Sequence, residues 1–532
     1  MAITYHTDSN TFRLETKDSS YLMKVSRYGN LLHLYYGRKI PDENLDYLLQ
    51  FQDRGFSPNP NEAGNDRTFS LDFLQQEFST DGKGDYRTPS IEVINGDGSG
   101  IFSGKVADYR IYEGKYRLEG MPSLRAGEGE RVDTLEIRLE DKESGASVIL
   151  FYSVFEEKNI IARTARFING GQEPVFLNKL MSVTVDYRDS EYDLIYFPGR
   201  HTMEREFTRI PVSSGLHSIG SSRGASSHQY NPFAIICERN ATEDFGGCYG
   251  YSLVYSGNFL FEAEKDQFSQ LRVSMGINPK GFSFELRPGE EFQAPEAVLA
   301  YSGRGLTGLS HLYHDIYRQN LCRSPYAKEP RPVLLNSWEA AYFDFDEEKL
   351  LEIARASVDM GVELFVLDDG WFGSRDDDNA GLGDWTVNRK KLKDGISGLS
   401  EKIHDMGLKF GIWIEPEMVS ENSDLYRSHP DWCLKAPGRP MTRGRNQLVL
   451  DLSRKDVCDY LIAVINKLLS DAEIEYVKWD MNRSISDVWS GLLPKERQGE
   501  ALHRYVLGLY RIMDEVILTH QEVIFCGCSG GG

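Results

Sequence analysis

The chain has 532 residues, 60 Lys and Arg against 81 Asp and Glu, a formal charge of −21, and 40% hydrophobic against 27% charged residues. This length exceeds one ordinary domain and predicts two, or three with a connecting element. The acidic balance argues against a nucleic acid or an anionic membrane surface as partner, since both require an excess of Lys and Arg.

Residues 1–6 show no basic-then-apolar leader, and no run approaches the ~18 apolar residues of a membrane span. The seven cysteines are scattered, and Cys526-x-Cys528 lacks a second pair, so no zinc site is expected. A cytoplasmic, reduced protein is the expectation.

Up to about residue 300, short runs rich in Tyr, Phe, Val and Ile are broken by turn signals such as Asn95-Gly96-Asp97-Gly98 and Arg287-Pro288-Gly289. The stretch 148–154 reads as a strand, and 281–286 alternates as a half-exposed strand should. With no fixed-period repeat, a large antiparallel sandwich follows. At Leu306 the texture changes. Leu309, Leu312, Tyr313, Ile316 and Tyr317 have helical spacing, and Pro325, Pro330 and Pro332 punctuate the chain after them. The expected division is a β domain over 1–305, a helical connector over 306–332 and an α/β domain over 333–532.

In that last region strands are expected at 333–336, 364–367, 409–414, 448–450, 474–477 and 523–525. Helices are expected at 347–360, 400–406, 455–469 and 500–518. Six buried strands alternating with helices imply a parallel sheet with right-handed crossovers. Polar residues close the strands: Trp338 and Glu339, Asp368 and Asp369, Glu415 and Glu417, Asp480, Cys528 and Ser529. A (β/α)8 barrel builds its active site at such ends. A doubly wound nucleotide fold would want a glycine-rich turn after 333–336, and none is there. A barrel is therefore expected, with about six of its eight strands present and the chain ending inside it.

The most informative segment is Tyr476-Val477-Lys478-Trp479-Asp480-Met481-Asn482-Arg483. Strand alternation puts Lys478 and Asp480 on one face, with Asn482 continuing the row if the strand persists. A cation, a carboxylate and an amide thus converge where a buried strand emerges. That ending suits a nucleophile among polyol-binding groups. Spacing alone leaves a structural ion pair equally open.

Taken together, Gln76-Glu77-Phe78, Gly84-Asp85-Tyr86-Arg87-Thr88-Pro89, residues 222–233, Asn336-Ser337-Trp338-Glu339-Ala340, Leu367-Asp368-Asp369-Gly370-Trp371-Phe372-Gly373, Gly411-Ile412-Trp413-Ile414-Glu415-Pro416-Glu417-Met418, Lys478-Trp479-Asp480-Met481-Asn482-Arg483 and Cys528-Ser529-Gly530-Gly531-Gly532 resemble the α-galactosidases of glycoside hydrolase family 36 along the whole chain. The resemblance implies an N-terminal β-supersandwich and a catalytic TIM barrel, commonly assembled as a homotetramer. It implies hydrolysis of terminal α-galactose from melibiose- and raffinose-type oligosaccharides, with retention and without metal or other cofactor. By motif, Asp480 matches the nucleophile. Asp368, Asp369, Arg445, Lys478, Asn482, Cys528 and Gly530 match galactose-holding positions, and Trp338 matches a pocket wall. Asp53 resembles a residue lent to a neighbouring subunit's pocket. The family's acid/base Asp falls beyond Gly532, so the chain by itself is expected to be weakly active or inactive.

Residue chemistry agrees with these roles. Adjacent Asp368 and Asp369 point apart in extended chain, so one can bind hydroxyls while the other braces its neighbours. Trp338 and Trp413 offer flat faces for sugar C–H groups, and Lys478 beside Asp480 is expected to keep that carboxylate ionised. Glu415, Glu417 and Asp487 match no catalytic motif. His201 stands where many relatives carry Trp, which bears on the leaving-group side of the pocket. Asp376-Asp377-Asp378 reads as a solvated loop rather than a calcium site, His228 as structural, and Cys526 as core. The alternatives are a non-catalytic galactoside-binding protein and, among enzymes, an α-galactosyl transferase or α-N-acetylgalactosaminidase.

Overall fold

The computed structural model describes residues 1–226 and 228–529 and divides into two compact units, Met1–Cys322 and Arg323–Gly532. Among the described residues no helix is long and apolar enough to cross a membrane.

The sheets of the first unit are antiparallel. A four-stranded meander covers Ile3–His6, Thr11–Glu15, Ser19–Val25 and Leu31–Arg38. A six-stranded and a ten-stranded sheet make up the rest. The strand Ala146–Phe155 is buried on both faces along most of its length, as its continuous apolar run predicts. In the stretch 281–286 only Phe284–Leu286 is strand, because Gly281 takes a φ of +76° and turns the chain.

The helix Gly305–Ile316 belongs to this unit rather than standing apart as a connector. Its Leu309, Tyr313 and Ile316 are buried with Val298, Ala300 and Cys248 of the large sheet. Tyr313 Oη donates to Val298 O at 2.9 Å. A Cβ on Gly250 would lie 2.4 Å from the Tyr313 ring, so that contact requires glycine.

Family motifs of this unit serve its interior. Glu77 is fully buried and takes hydrogen bonds from Tyr21 and Tyr152, both 2.7 Å, with Arg163 at 2.8 Å and His33 on its other oxygen. Asp85 and Asp186 are bound by buried Arg272 and Arg87. Buried charge persists when it is paired and hydrogen-bonded in this way. His228 is half-buried beside Gln229, and His201 is exposed.

In the second unit, Leu334–Asn336, Leu364–Leu367, Lys409–Ile414, Tyr476–Asp480 and Ile524–Cys528 form a parallel sheet in chain order. Helices Glu347–Val358, Gly395–His404, Lys455–Asp471 and Ala501–Thr519 connect them. The first of these helices starts at Asp346, whose side chain accepts from Lys349 N at 2.9 Å. Sequential parallel winding is the barrel pattern.

The sheet has five described strands, not six. Leu448–Val449 pairs antiparallel with Met418–Val419 outside it. Its apolar run reflects burial, and burial alone specifies neither partner nor direction.

Candidate active site

Asp480 is the last residue of the fourth strand. Alternation sends Val477 and Trp479 to the helix side, where Trp479 Nε1 donates to Glu417 at 3.2 Å and Tyr505 donates to the same carboxylate at 2.5 Å. Glu417 therefore braces the sheet against the helix Ala501–Thr519 and stands outside the pocket.

Lys478 and Asp480 share the opposite face. The direct partner of Lys478, however, is Asp368, at 2.9 Å, and the expected pairing with Asp480 is corrected accordingly. A parallel neighbour two strands away was closer than the residue two positions along the same strand. Burial lowers the Lys478 pKa, but Asp368 and, further off, Asp480 outweigh it and leave it raised. Asp368 also accepts from Asn336 Nδ2 at 2.6 Å, so its carboxylate is oriented by both the first and the fourth strands.

Asp369 is the brace of the pair. Arg375, with no exposed surface, grips it through Nε at 3.0 Å and Nη2 at 2.8 Å, and anchors itself on Ala380 O at 3.1 Å. Burial still raises the Asp369 pKa, against the pull of Arg375. Asp480 accepts from Trp413 Nε1 at 3.0 Å and from Met481 N at 3.0 Å, and is 5% exposed. Two donors aimed at one carboxylate fix its direction.

Trp413 is thus a donor more than a wall. It is buried and lies parallel to Phe372, at an interplanar angle of 4°, so its faces are not presented as the sequence suggested. Trp338 remains half-buried, held edge-on by Tyr342 and Phe343.

Glu415, at the end of the third strand, is fully buried. One oxygen accepts Asn482 N at 2.6 Å and the other Gln447 Nε2 at 2.8 Å. Burial foremost, with the charge of nearby Asp480 adding to it, raises its pKa to about 7 against the pull of the Asn482 amide.

The structure thus brings Asp368, Asp369, Lys478 and Asp480 together at one end of the sheet. Asn482 follows on the same loop, and Cys528 stands opposite Asp480 in register, its carbonyl accepting Met481 N at 2.9 Å. Arg445 is exposed on a tight turn, where its charge only partly opposes the burial that raises the pKa of Asp369 and Glu415. Asp53 lies in the first unit, exposed, 3.1 Å from Arg67. Gly530 lies outside the described residues. Cys526, expected in the core, is half-buried, because its strand is an edge of the described sheet. Asp376, Asp377 and Asp378 act as loop acceptors for Lys391, Asn379 N and Asn446. Sequence reasoning missed Arg375 and Asn336. The only signal for Arg375 was a lone cation heading an acidic run.

A possible ligand group of His404, Glu473 and Glu475 sits at the opposite ends of the strands, and there His404 Nε2 is 2.9 Å from Glu475.

The family model described as Melibiase matches residues 291–532, and that described as Glycosyl hydrolase family 36 N-terminal domain matches 29–287. The chain is 49% identical to alpha-galactosidase AgaA of Geobacillus stearothermophilus over all of its own length and 73% of that protein. It is 46% identical to the bifunctional alpha-galactosidase/sucrose kinase AgaSK of Mediterraneibacter gnavus, covering 56% of it. The crystal structure of AgaA superposes with a TM-score of 0.95 at 50% identity, covering 98% of this chain and 72% of that one. Variants of AgaA have been solved in complex with stachyose and with raffinose, each at a TM-score of 0.96.

Proposed function

This chain belongs to glycoside hydrolase family 36, the α-galactosidases, and from that premise we propose that it releases terminal non-reducing α-D-galactose from raffinose-type oligosaccharides by double displacement. The observation that carries the reading is Asp480, which is buried, ends a parallel strand, is aligned by the Trp413 N–H and lies beside the Lys478–Asp368 pair. The raffinose and stachyose bound in its relative support the substrate class.

In the first step an Asp480 oxygen attacks the anomeric carbon and forms an ester as the glycosidic C–O bond breaks. The leaving oxygen takes a proton from water, and a water molecule then attacks the anomeric carbon, breaks its bond to the Asp480 oxygen and releases the carboxylate, so the second inversion restores the original anomeric configuration. Asp368, oriented by Lys478 and Asn336, accepts from sugar hydroxyls, with Trp338 as a wall and Asp369 held by Arg375 as the rigid base. Arg445, Asn482, Cys528 and Gly530 complete the galactose site in this reading. The acid/base role is assigned to none of the described residues. Glu415 is near Asp480, but both its oxygens are engaged by donors. The same reading includes a cytoplasmic homotetramer in which exposed Asp53 reaches a neighbour's pocket.

The test is hydrolysis of p-nitrophenyl α-galactoside and raffinose, followed by proton NMR. First-formed α-galactose, lost on Asp480→Asn, is expected. First-formed β-galactose would refute retention, and binding of galactose with no turnover of either substrate would refute hydrolysis by this chain.

A further inference from the structure

Arg445 and Asn446 both adopt left-handed backbone, with φ of 49° and 58°. Gln447 N donates to Gly444 O at 2.9 Å and closes a tight turn around them. Such turns favour Gly, Asn or Asp at both central positions, so a long side chain at the first is strained. Strained backbone persists where its surroundings over-determine it.

Two anchors do so here, half-buried Arg483 and fully buried Glu415. Arg483, from the loop after the fourth strand, donates Nη1 to Thr442 O at 3.2 Å and also to Gln447 O, clamping both sides of the turn. Its remaining donors are fixed on Ser484 O at 3.0 Å and Ser486 Oγ at 2.6 Å. Gly444 packs directly on Arg483, where an added Cβ would come within 3.1 Å of the Arg483 Cβ. The second anchor is Glu415, whose carboxylate ties Gln447 Nε2 to Asn482 N. The turn that carries Arg445 and the loop that carries Asn482 are thereby held to one acid and one guanidinium.

We propose that Arg483 and Glu415 are positioning residues that hold the turn 444–447 in its strained form, so that Arg445 is presented to the galactose pocket. The inference rests on the reading above, in which Arg445 holds the sugar. Neither positioning residue touches substrate. Without the clamp the turn relaxes, and only the fraction of molecules still in the strained form binds well.

The experiment measures galactose affinity by tryptophan fluorescence on the full chain, with thermal unfolding as a control. The variants are Arg445→Ala, Arg483→Met, Glu415→Gln, the double Arg445→Ala/Arg483→Met, and Arg483→Met/Asn446→Gly. Arg445→Ala, Arg483→Met and Glu415→Gln each weaken binding about tenfold, equivalent to about 1.4 kcal/mol. The double variant is no weaker than Arg445→Ala within about twofold, since a clamp has no effect once its cargo is gone. Asn446→Gly tolerates the left-handed backbone without strain and recovers a clear part of the Arg483→Met loss.

Additive losses, or Arg483→Met binding within about twofold of wild type, overturn the proposal. An Arg445→Ala variant that binds galactose normally overturns the role of Arg445 itself, and a wild-type chain that binds no galactose overturns the pocket reading. If Arg483→Met unfolds, Arg483→Lys, which keeps the cation but loses the two-carbonyl grip, is read by the same criteria.

Discussion

Replacing Arg375 by Met removes the only fully buried cation in the barrel unit that grips Asp369 among the described residues. Two charge-assisted hydrogen bonds, at 3.0 and 2.8 Å, disappear from a carboxylate that is 3% exposed. Leaving that charge buried and unpaired costs ~3–5 kcal/mol. The alternative is to protonate it. With an ordinary value of 3.8, holding it neutral at pH 7 costs about 4 kcal/mol, at 1.36 kcal/mol per unit. Both routes therefore converge on about 4 kcal/mol. For a unit of this size each kcal/mol moves the midpoint by roughly 2–4 °C, so a fall of about 8–16 °C is expected in the calorimetric transition of the second unit.

The pH dependence follows in sign. In the variant the folded-state pKa of Asp369 is raised above its unfolded value, so a proton is taken up on folding. Stability is then highest at low pH and is lost as pH rises through the raised value. The gap between variant and wild type should shrink by about 1.4 kcal/mol per unit from pH 7 downward. A loss under about 1 kcal/mol, or one unchanged between pH 7 and pH 5, would refute the brace assigned to Arg375.

Trp413→Phe keeps the ring against Phe372 and removes one donor to Asp480. A bond to a charged group contributes about 1.5–3 kcal/mol, so kcat is expected to fall about 10- to 100-fold with little change in melting temperature, as steady-state kinetics and calorimetry will show. Lys478→Met leaves the buried Asp368 carboxylate without its cation, and galactose affinity measured by titration calorimetry should fall about 10- to 100-fold. Glu415 is raised from 4.5 to about 7 by burial. Its contribution is complete below its unfolded value and is lost as pH rises through about 7, a decline of up to roughly 3 kcal/mol. Urea midpoints of wild type should therefore fall between pH 5 and pH 8, while those of Glu415→Gln should stay flatter.

Much of this organisation could be read from the chain. Runs such as 364–367 and 409–414 coincide with their strands, because a short, mostly apolar run bounded by polar residues has few other solutions. The convergence of Asp368, Asp369, Lys478 and Asp480 followed from placing those runs in one parallel sheet. Pairings across strands were not legible. Lys478 sits two residues from Asp480 in sequence, yet its 2.9 Å partner is Asp368, and only the register of three adjacent strands makes that so. Leu448–Val449 failed for the same reason, since its apolar side chains specify burial and not a neighbour. Arg375 was passed over although Asp369 stands six residues away, because a loop sequence does not say that its side chain folds back on that carboxylate. Glu415 was placed at a strand end without a role, since Gln447 and Asn482, which engage it, lie 32 and 67 residues away.

The central claim is that Asp480 forms the covalent intermediate, and mass mapping of a quenched reaction tests it most directly. An activated α-galactosyl fluoride is mixed with the chain, quenched in acid and digested. A hexosyl adduct on the peptide bearing Asp480, absent from Asp480→Asn, is the predicted result. An adduct on a different residue, or galactose released with inverted configuration and no adduct anywhere, would contradict the account.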